Sequence, residues 1–370
     1  MAKHRRADQP PPPCYAIVFP GLESVAGEEI TEDLGGEVKR SGRGFVVFRL
    51  IELDAAVLRL RTTEDVFLLG WGTDQLTYRA EDLNRISRWT ARDVDWPRLL
   101  QIHHGIRPKP KGKPTFRLVT QMTGEHGYRR RDAHEALARG LAGKLPAGWR
   151  HAEENAAVEV WLTIHGATAV CGLRLSDRTM RHRHYKREHL PASLRPTIAA
   201  AMVRLAGSKP GQLVLDPMCG AGTILAEQLA RDAQMGSQRL SMPERGRIVG
   251  GDLDVATLRA ARSNLRGLGQ TSLVSWDARR LPFAENSVDR VISNPPFGKQ
   301  LGRPEEIGPL YRRSILEYDR VLRPGGRAVL LAADAEALQL AIRPVGWKSV
   351  RQLRVRVLGQ MAAITVWRRD

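Results

Sequence analysis

Cysteine is scarce in this sequence of 370 residues, which contains only Cys14, Cys171 and Cys219. Three widely separated cysteines cannot form a disulfide framework, and their positions do not match the spacing of a metal site. The composition therefore excludes a small secreted domain stapled by disulfides. We expect a protein of the reducing cytoplasm.

Long apolar runs are also missing. No stretch approaches the roughly 18 apolar residues that a membrane-spanning helix needs. The opening residues, MAKHRRADQPPPPC, are basic and then rich in proline instead of apolar, so they do not resemble a secretory signal. We predict a short disordered arm over 1–13, no membrane contact, and a soluble protein.

Acidic residues are too few to balance the basic ones. The chain has 58 Lys and Arg against 40 Asp and Glu, which gives a net charge of +18. Such an excess is expected of a protein that binds a polyanion, and the basic residues cluster. A merely basic soluble protein is the alternative.

Three basic clusters carry the prediction of RNA binding: RPKPKGKPTFR, YRRRD and RHRHYKREH. A surface that contacts phosphates is the favoured interpretation, and a solvated loop or linker is the alternative. The residues predicted to bind RNA are Lys109, Lys111, Lys113, Arg129, Arg130, Arg181, Arg183, Lys186 and Arg187.

Three segments with different patterns follow the arm. Residues 14–80 predict a small α+β unit, with a helix over 52–60 before its last apolar segment. Residues 81–176 predict two helices, a basic loop, and then strand, helix and two antiparallel strands. After a basic linker (177–190), strands alternate with helices over 191–370, which predicts a mostly parallel sheet covered on both faces. Its last two strands, joined at Gly359, are expected at an antiparallel edge.

Four features fall at the carboxyl ends of consecutive predicted strands, where parallel sheets bind ligands. The first is the turn Asp216-Pro-Met-Cys-Gly-Ala-Gly-Thr223, whose glycines allow a ligand to approach the backbone closely. The turn is neither a complete G-x-G-x-x-G nor a phosphate loop ending in Lys-Ser/Thr. This spacing disfavours a nicotinamide dehydrogenase.

The other three features are Asp252, Asp277 and Asn294-Pro-Pro-Phe297. Asp252 can accept hydrogen bonds from both hydroxyls of a ribose, while the nearby Asp254 is expected to cap the next helix. Asp277 can accept from an adenine amino group, or it is a solvated loop acid or local cap. Asn294-Pro-Pro-Phe297 alone reads as a rigid turn. In this series it predicts a cup for a flat ring that carries an amino group, beside an adenosine-bearing cofactor.

In their order, these motifs resemble those of class I S-adenosylmethionine-dependent methyltransferases that act on exocyclic amino groups. DPMCGAGT together with NPPFG is similar specifically to the THUMP-domain RNA methyltransferases, as are FPGLESVAGEEI and RHRHYKREHLPASLRPTIAAAM. The resemblance implies an α/β fold with a Rossmann-like methyltransferase domain (191–370) on a mostly parallel seven-stranded sheet. It also implies N-terminal α+β domains, one ferredoxin-like (14–80) and one THUMP (81–176).

The resemblance further implies S-adenosyl-L-methionine as cofactor and no metal. The glycine turn would bind its methionine end, Asp252 its ribose and Asp277 its adenine. Asn294 and the Pro295 carbonyl would accept hydrogen bonds from the target amino group, and Phe297 would stack on an extruded base. The cofactor-binding residues so implied are Asp216, Met218, Cys219, Gly220, Ala221, Gly222, Thr223, Asp252, Leu253, Asp277 and Ala278. The catalytic residues so implied are Asn294, Pro295, Pro296 and Phe297.

The implied substrate is tRNA, with the N2 amino group of acceptor-stem guanosine 6 as first choice. Another tRNA position and large-subunit ribosomal RNA stay open. Adenine N6 also stays open, because adenine-N6 methyltransferases share the Asn-Pro-Pro-Phe motif. A catalytically idle RNA-binding protein is an alternative of a different class, disfavoured because the set of site residues is intact. A monomer with no obligatory protein partner is expected.

Overall fold

The computed structural model describes residues 10–108, 112, 114–191, 193–236, 247–297, 304–357 and 359–370. The chain divides into two compact units. The first takes in the residues up to Ile17 and Gly27–Met180, and the second takes in Val18–Ala26 and Arg181–Asp370. Within the described ranges, no helix is long and apolar enough to cross a bilayer.

One eight-stranded sheet organises the first unit. Its strands in chain order are β1 (Cys14–Val18), β2 (Glu37–Gly42), β3 (Phe45–Arg49), β4 (Thr63–Thr73), β5 (Thr115–Thr123), β6 (Arg150–His151), β7 (Val158–His165) and β8 (Thr168–Arg174). The order in the sheet is β2-β3-β1-β4-β8-β7-β5-β6. The helices are α1 (Glu23–Leu34), whose first turn belongs to the second unit, α2 (Glu81–Arg92), α3 (Trp96–Ile106) and α4 (Arg130–Leu141). The helix expected over 52–60 is only a 3₁₀ turn, Ala55–Arg59, which Asp54 caps.

The two predicted N-terminal segments share this sheet. Strand β4, from the first segment, pairs antiparallel with β8, from the second. Tyr15 on β1 and Phe67 on β4 stack, with ring centroids 4.5 Å apart. The boundary at residue 80 and the assignment of 81–176 to a THUMP domain stay predictions.

The end of the predicted arm contacts the first unit. The carbonyl of Pro13 accepts a hydrogen bond from the Leu69 N–H at 2.8 Å. The carbonyl of Pro10 accepts one from the Arg98 guanidinium at 2.7 Å. Residues 10–13 therefore have defined partners, whereas residues 1–9 lie outside the described ranges.

A seven-stranded sheet organises the second unit. Its strands are β9 (Leu213–Asp216), β10 (Arg247–Asp252), β11 (Ser272–Ser275), β12 (Val288–Ser293), β13 (Leu322–Ala332), β14 (Lys348–Val357) and β15 (Gln360–Arg368). The order is β11-β10-β9-β12-β13-β15-β14, with β15 antiparallel to both neighbours. The predicted mostly parallel sheet with an antiparallel pair at its edge is confirmed. The helices are α5 (Thr179–His182), which begins in the first unit and ends in the second, α6 (Pro196–Ala206), α7 (Thr223–Gln234), α8 (Val255–Leu265), α9 (Pro304–Val321) and α10 (Ala335–Ile342). Neither α5, which lies in the predicted basic linker, nor α10 was predicted.

Helices cover both faces of this sheet. Neighbouring residues of a strand point to opposite faces, so one strand contacts helices on both sides. On β10, Ile248 packs in a cluster with residues of α7 and α8, while Val249 packs against a cluster built from α9 and α10. The strand order reverses between β9 and β12. The carboxyl ends of these strands therefore open onto the crevice in which such sheets bind ligands.

Substitution of Gly251, on β10, tests how closely Trp276 packs against this strand. A Cβ at this position would lie 2.0 Å from Cε2 of the buried Trp276. We expect Gly251→Ala to lower the free energy of unfolding by about 1–3 kcal/mol through overpacking, measured by denaturant titration. Gly105→Ala is the control, because Gly105 lies in α3 with open space around its Cβ position. That control should be neutral or slightly stabilising, and equal losses in both variants would contradict the packing.

Candidate active site

The glycine turn lies at the carboxyl end of a sheet strand, as predicted. Strand β9 ends at Asp216 and α7 begins at Thr223. Gly220 and Gly222 have φ values of 52° and 76°, in the left-handed region that residues with a side chain rarely adopt. A Cβ on Gly222 would lie 3.2 Å from the Cβ of Ala261, whereas a Cβ on Gly220 would point into open space. Gly222 thus packs closely on α8, and Gly220 leaves room for a ligand.

Asp252 ends β10 and binds two backbone amides. Its Oδ2 accepts a hydrogen bond from the Gly220 N–H at 3.0 Å, and its Oδ1 accepts one from the Asp254 N–H at 3.1 Å. The carboxylate keeps free lone pairs for a ligand, since each oxygen can accept more than one hydrogen bond. Asp254 caps α8 by accepting from the Ala256 N–H, which confirms the structural role expected of it.

Asp277 follows β11 and is bound by its own loop. Both of its oxygens accept hydrogen bonds from the Arg279 guanidinium, at 2.6–2.9 Å. These bonds lower the pKa of the Asp277 carboxyl, which therefore stays ionised. The neighbouring Trp276, which sequence reasoning missed, donates from Nε1 to the Pro217 carbonyl at 3.1 Å. It joins the end of β11 to the glycine turn.

Asn294 begins the loop that follows β12. Its Oδ1 is buried and has no hydrogen-bond partner among the described residues. Two residues later the Pro296 carbonyl accepts a hydrogen bond from the hydroxyl of Tyr311 at 3.2 Å. Tyr311 lies on α9 and is buried. Its role had no signal in the sequence, because it lies 15 positions from the loop that it contacts.

The ends of β9, β10, β11 and β12 border one cavity of about 900 Å³ in the second unit. Every residue predicted to bind the cofactor or the target base lines it, except Gly222. Gly222 is turned toward α8 instead. The cavity wall also includes residues that were not predicted, among them Leu190, Pro191, Glu305 and Arg313.

Unpaired buried oxygens show what the cavity can bind. Oδ2 of Asp216, like Oδ1 of Asn294, is buried without a hydrogen-bond partner in the described part of the chain. Burial raises the pKa of the Asp216 carboxyl, and the nearby charge of Asp252 raises it further. A ligand with a positive charge and several hydrogen-bond donors would relieve both costs. S-adenosyl-L-methionine, with its ammonium and sulfonium groups, fits these residues.

Cys219 has no catalytic features. It is buried, and burial raises the pKa of its thiol well above the ordinary value. A thiolate nucleophile is thus disfavoured at this position.

The residues predicted to bind RNA have different surroundings. Lys109, Lys111 and Lys113 lie outside the described residues. The side chains of Arg129 and Arg130 are exposed at the start of α4 in the first unit, and Arg187 is exposed in the second. Arg181 is half-buried. RNA contact by these four residues stays a prediction.

Arg183 requires a correction, and Lys186 is only half-buried. The Arg183 guanidinium is buried and donates from Nε to Oε1 of Glu227 at 3.1 Å. The Lys186 ammonium donates to the Leu194 carbonyl at 2.7 Å, and burial lowers its pKa. The Arg183 guanidinium is therefore turned away from solvent. Lys186 keeps further N–H donors, so its contact with RNA stays a prediction.

The fold and the strand-end site define an S-adenosyl-L-methionine-dependent methyltransferase. Residues 183–363 match the model of a family described as "UPF0020: RMKL-like, methyltransferase domain". The chain is 30% identical over 339 residues to the tRNA (guanine(6)-N2)-methyltransferase of Thermus thermophilus, covering 89% of this chain and 91% of that protein. It therefore belongs to the same family as that enzyme.

Two solved structures and a bovine protein are also similar to this chain. The crystal structure of TrmN from Thermus thermophilus superimposes with a TM-score of 0.74 and 27% identity, over 97% of this chain and 99% of that one. The bovine tRNA (guanine(6)-N(2))-methyltransferase THUMP3 is 32% identical over 238 residues, which are 60% of this chain and 45% of that protein. The structure of SMU.472 complexed with SAH has the same fold, with a TM-score of 0.69 and 15% identity.

The raised pKa of Asp216 predicts a pH dependence. We expect the affinity for S-adenosyl-L-methionine to fall as the pH is lowered through this pKa, because protonation removes the negative charge that faces the cationic cofactor. Calorimetric titrations at a series of pH values measure this affinity.

Asp216→Asn should bind the cofactor weakly and lose most of this pH dependence. Asp289→Asn is the control, because Asp289 accepts the Leu213 N–H at 2.8 Å and does not line the cavity. An unaltered pH profile in Asp216→Asn would contradict the role of its carboxylate.

Proposed function

We propose that this enzyme methylates the exocyclic N2 amino group of a guanosine in tRNA, and that guanosine 6 is the target. The observation that supports this most directly is the buried, unpaired Oδ1 of Asn294 on the cavity wall. Such an acceptor suits an incoming N–H donor. The nucleotide is proposed from the printed names of the Thermus and bovine relatives.

When bound, S-adenosyl-L-methionine supplies an electrophilic methyl group. We propose that Asn294 Oδ1 and the Pro295 carbonyl accept hydrogen bonds from the two N–H groups of the target. This arrangement fixes the direction of the nitrogen lone pair, so that catalysis comes from orientation and electrostatics. Tyr311 stabilises the loop by donating to the Pro296 carbonyl. Phe297, which also lines the cavity, stacks on the extruded base.

Residues at three strand ends bind different parts of the cofactor in this proposal. We propose that Asp216 and the glycine turn bind the methionine end, Asp252 the ribose hydroxyls and Asp277 the adenine amino group. Binding the adenine amino group requires Asp277 to exchange a contact with Arg279, because its oxygens already accept four hydrogen bonds from that residue and a carboxylate offers about four acceptor positions. Transfer requires neither a covalent nucleophile nor a metal ion in this scheme.

The enzyme is proposed to act in the cytoplasm as a monomer. The free, buried thiols of Cys14, Cys171 and Cys219 suit a reducing compartment. The net charge of +18 suits a polyanionic substrate.

Transfer of labelled methyl groups to unmodified tRNA tests this function. We expect N2-methylguanosine at position 6 and its loss when that guanosine is replaced by adenosine. Methylation of the replacing adenosine would instead support the adenine-N6 alternative. A modified guanosine elsewhere in tRNA, or in another RNA, would overturn the choice of position. U6 snRNA belongs in this assay, because the murine relative THUMPD2, 34% identical over 223 residues, bears the name U6 snRNA (guanine-N(2))-methyltransferase.

Replacing Asn294 by Ala tests the acceptor. We expect kcat to fall by roughly 10²–10³-fold, since a hydrogen-bonding group that orients and stabilises the transition state is lost. Affinity for S-adenosyl-L-methionine and for tRNA should stay within about twofold. Asn84→Ala, at an exposed position of α2, is the control and should leave kcat unchanged. Equal losses of kcat and of tRNA affinity in Asn294→Ala would contradict the assigned role.

A further inference from the structure

The segment from Arg183 to Pro191, here called the strap, is fixed to the second unit instead of crossing solvent. At its start, Arg183 Nε and the Tyr185 hydroxyl donate to the same oxygen of Glu227, at 3.1 and 2.6 Å. Glu227 is buried and lies on α7, the helix that begins at the glycine turn. The strap is therefore anchored beside the cofactor cavity.

Asn264, on α8, joins the strap to the glycine turn. Its Oδ1 accepts the backbone N–H groups of Arg187 and Glu188, each at 2.8 Å. Its Nδ2 donates to the Glu188 carbonyl at 3.2 Å and to the Ala221 carbonyl at 3.0 Å. Two acceptor and two donor positions are all that an amide offers, and Asn264 uses all four. Asn264 has 1% of its surface exposed, so water does not compete for these four hydrogen bonds.

Both segments that Asn264 contacts border the cavity. Ala221 lies between the two glycines of the turn, and Leu190 and Pro191 at the end of the strap line the wall. Helix α8 also packs directly on the turn, because the Cβ position of Gly222 lies 3.2 Å from Ala261. One side chain thus sets the separation between a wall of the cavity and the turn that contacts the cofactor.

We propose that Asn264 is a positioning residue for cofactor binding. It fixes the strap against the glycine turn, so that Leu190 and Pro191 close one side of the cavity. Without this amide, the four backbone groups that it contacts lose a hydrogen bond, and the positive-φ turn loses an external constraint. The role concerns cofactor binding alone and does not depend on which nucleotide is methylated.

Calorimetric titration with S-adenosyl-L-methionine in the absence of RNA tests the proposal. We expect Asn264→Leu to raise Kd by roughly tenfold or more, since several buried hydrogen bonds are lost. Asn264→Asp keeps the two acceptor contacts with the strap but cannot donate to the Ala221 carbonyl, and it should also weaken binding. Wild-type binding in the same titration establishes the cofactor independently of the variants.

The matched control is Gln228→Leu. Gln228 is another buried amide of this unit, donating to Ser208 Oγ at 2.8 Å and Asp232 Oδ1 at 2.7 Å, and it does not line the cavity. We expect it to lower the melting temperature while Kd stays within about twofold of wild type. Equal weakening of binding in Gln228→Leu, or wild-type Kd values in both Asn264 variants, would overturn the proposal.

Hydrogen exchange on the wild-type protein gives a test that needs no variant. The amides of Arg187 and Glu188 donate to Asn264, so a cofactor that rests on the turn should slow their exchange. We expect slower exchange in the strap when S-adenosylhomocysteine is added. Exchange that is the same with and without this ligand would contradict the coupling.

Discussion

The carboxylate of Asp252 fixes the arrangement on which the cofactor site depends. It accepts the N–H groups of Gly220 and Asp254, at 3.0 and 3.1 Å, and so joins the turn after β9 to the turn after β10. A turn with positive φ at two positions is not fixed by its own sequence, because glycine has the widest backbone freedom of any residue. An outside acceptor is needed to select one conformation. Gly251 also helps to fix the turn after β9. Because it has no side chain, Trp276 can reach the Pro217 carbonyl in that turn.

The fixed positions of these turns matter for function, because the proposed catalysis depends on how the reacting groups are oriented. The target amino nitrogen is itself the nucleophile in the proposed reaction, and no covalent nucleophile of the enzyme is required. The rate therefore depends on how well two acceptors direct that nitrogen. The loop after β12 has its own support, because Tyr311 donates to the Pro296 carbonyl from α9. The glycine turn has support from α8 through Asn264. Helices on opposite faces of the sheet thus each stabilise one side of the reaction site.

The sequence was sufficient to predict the sheet of the second unit and the place where its ligand residues meet. Regular alternation of strands and helices indicates a parallel sheet, and the carboxyl ends of its central strands must lie together. That rule alone brings Asp216, Asp252 and Asn294 to one cavity. The direction of a basic side chain does not follow from such a pattern. Arg183 lies in a basic stretch, yet it points inward because a buried Glu227, 44 positions later, pairs with it. Asn264 was missed for the same reason, since its partners are distant in sequence.

The structure of the protein bound to S-adenosylhomocysteine would show most directly whether these strand ends bind the cofactor as proposed. We expect the ribose hydroxyls to bind Asp252, the amino-acid end to contact Asp216 and the glycine turn, and the sulfur to point toward Asn294 Oδ1. A methyl group on that sulfur would then face the acceptors proposed for the target amino group. A sulfur directed away from Asn294, or a ribose that does not contact Asp252, would contradict the assignment of the strand ends.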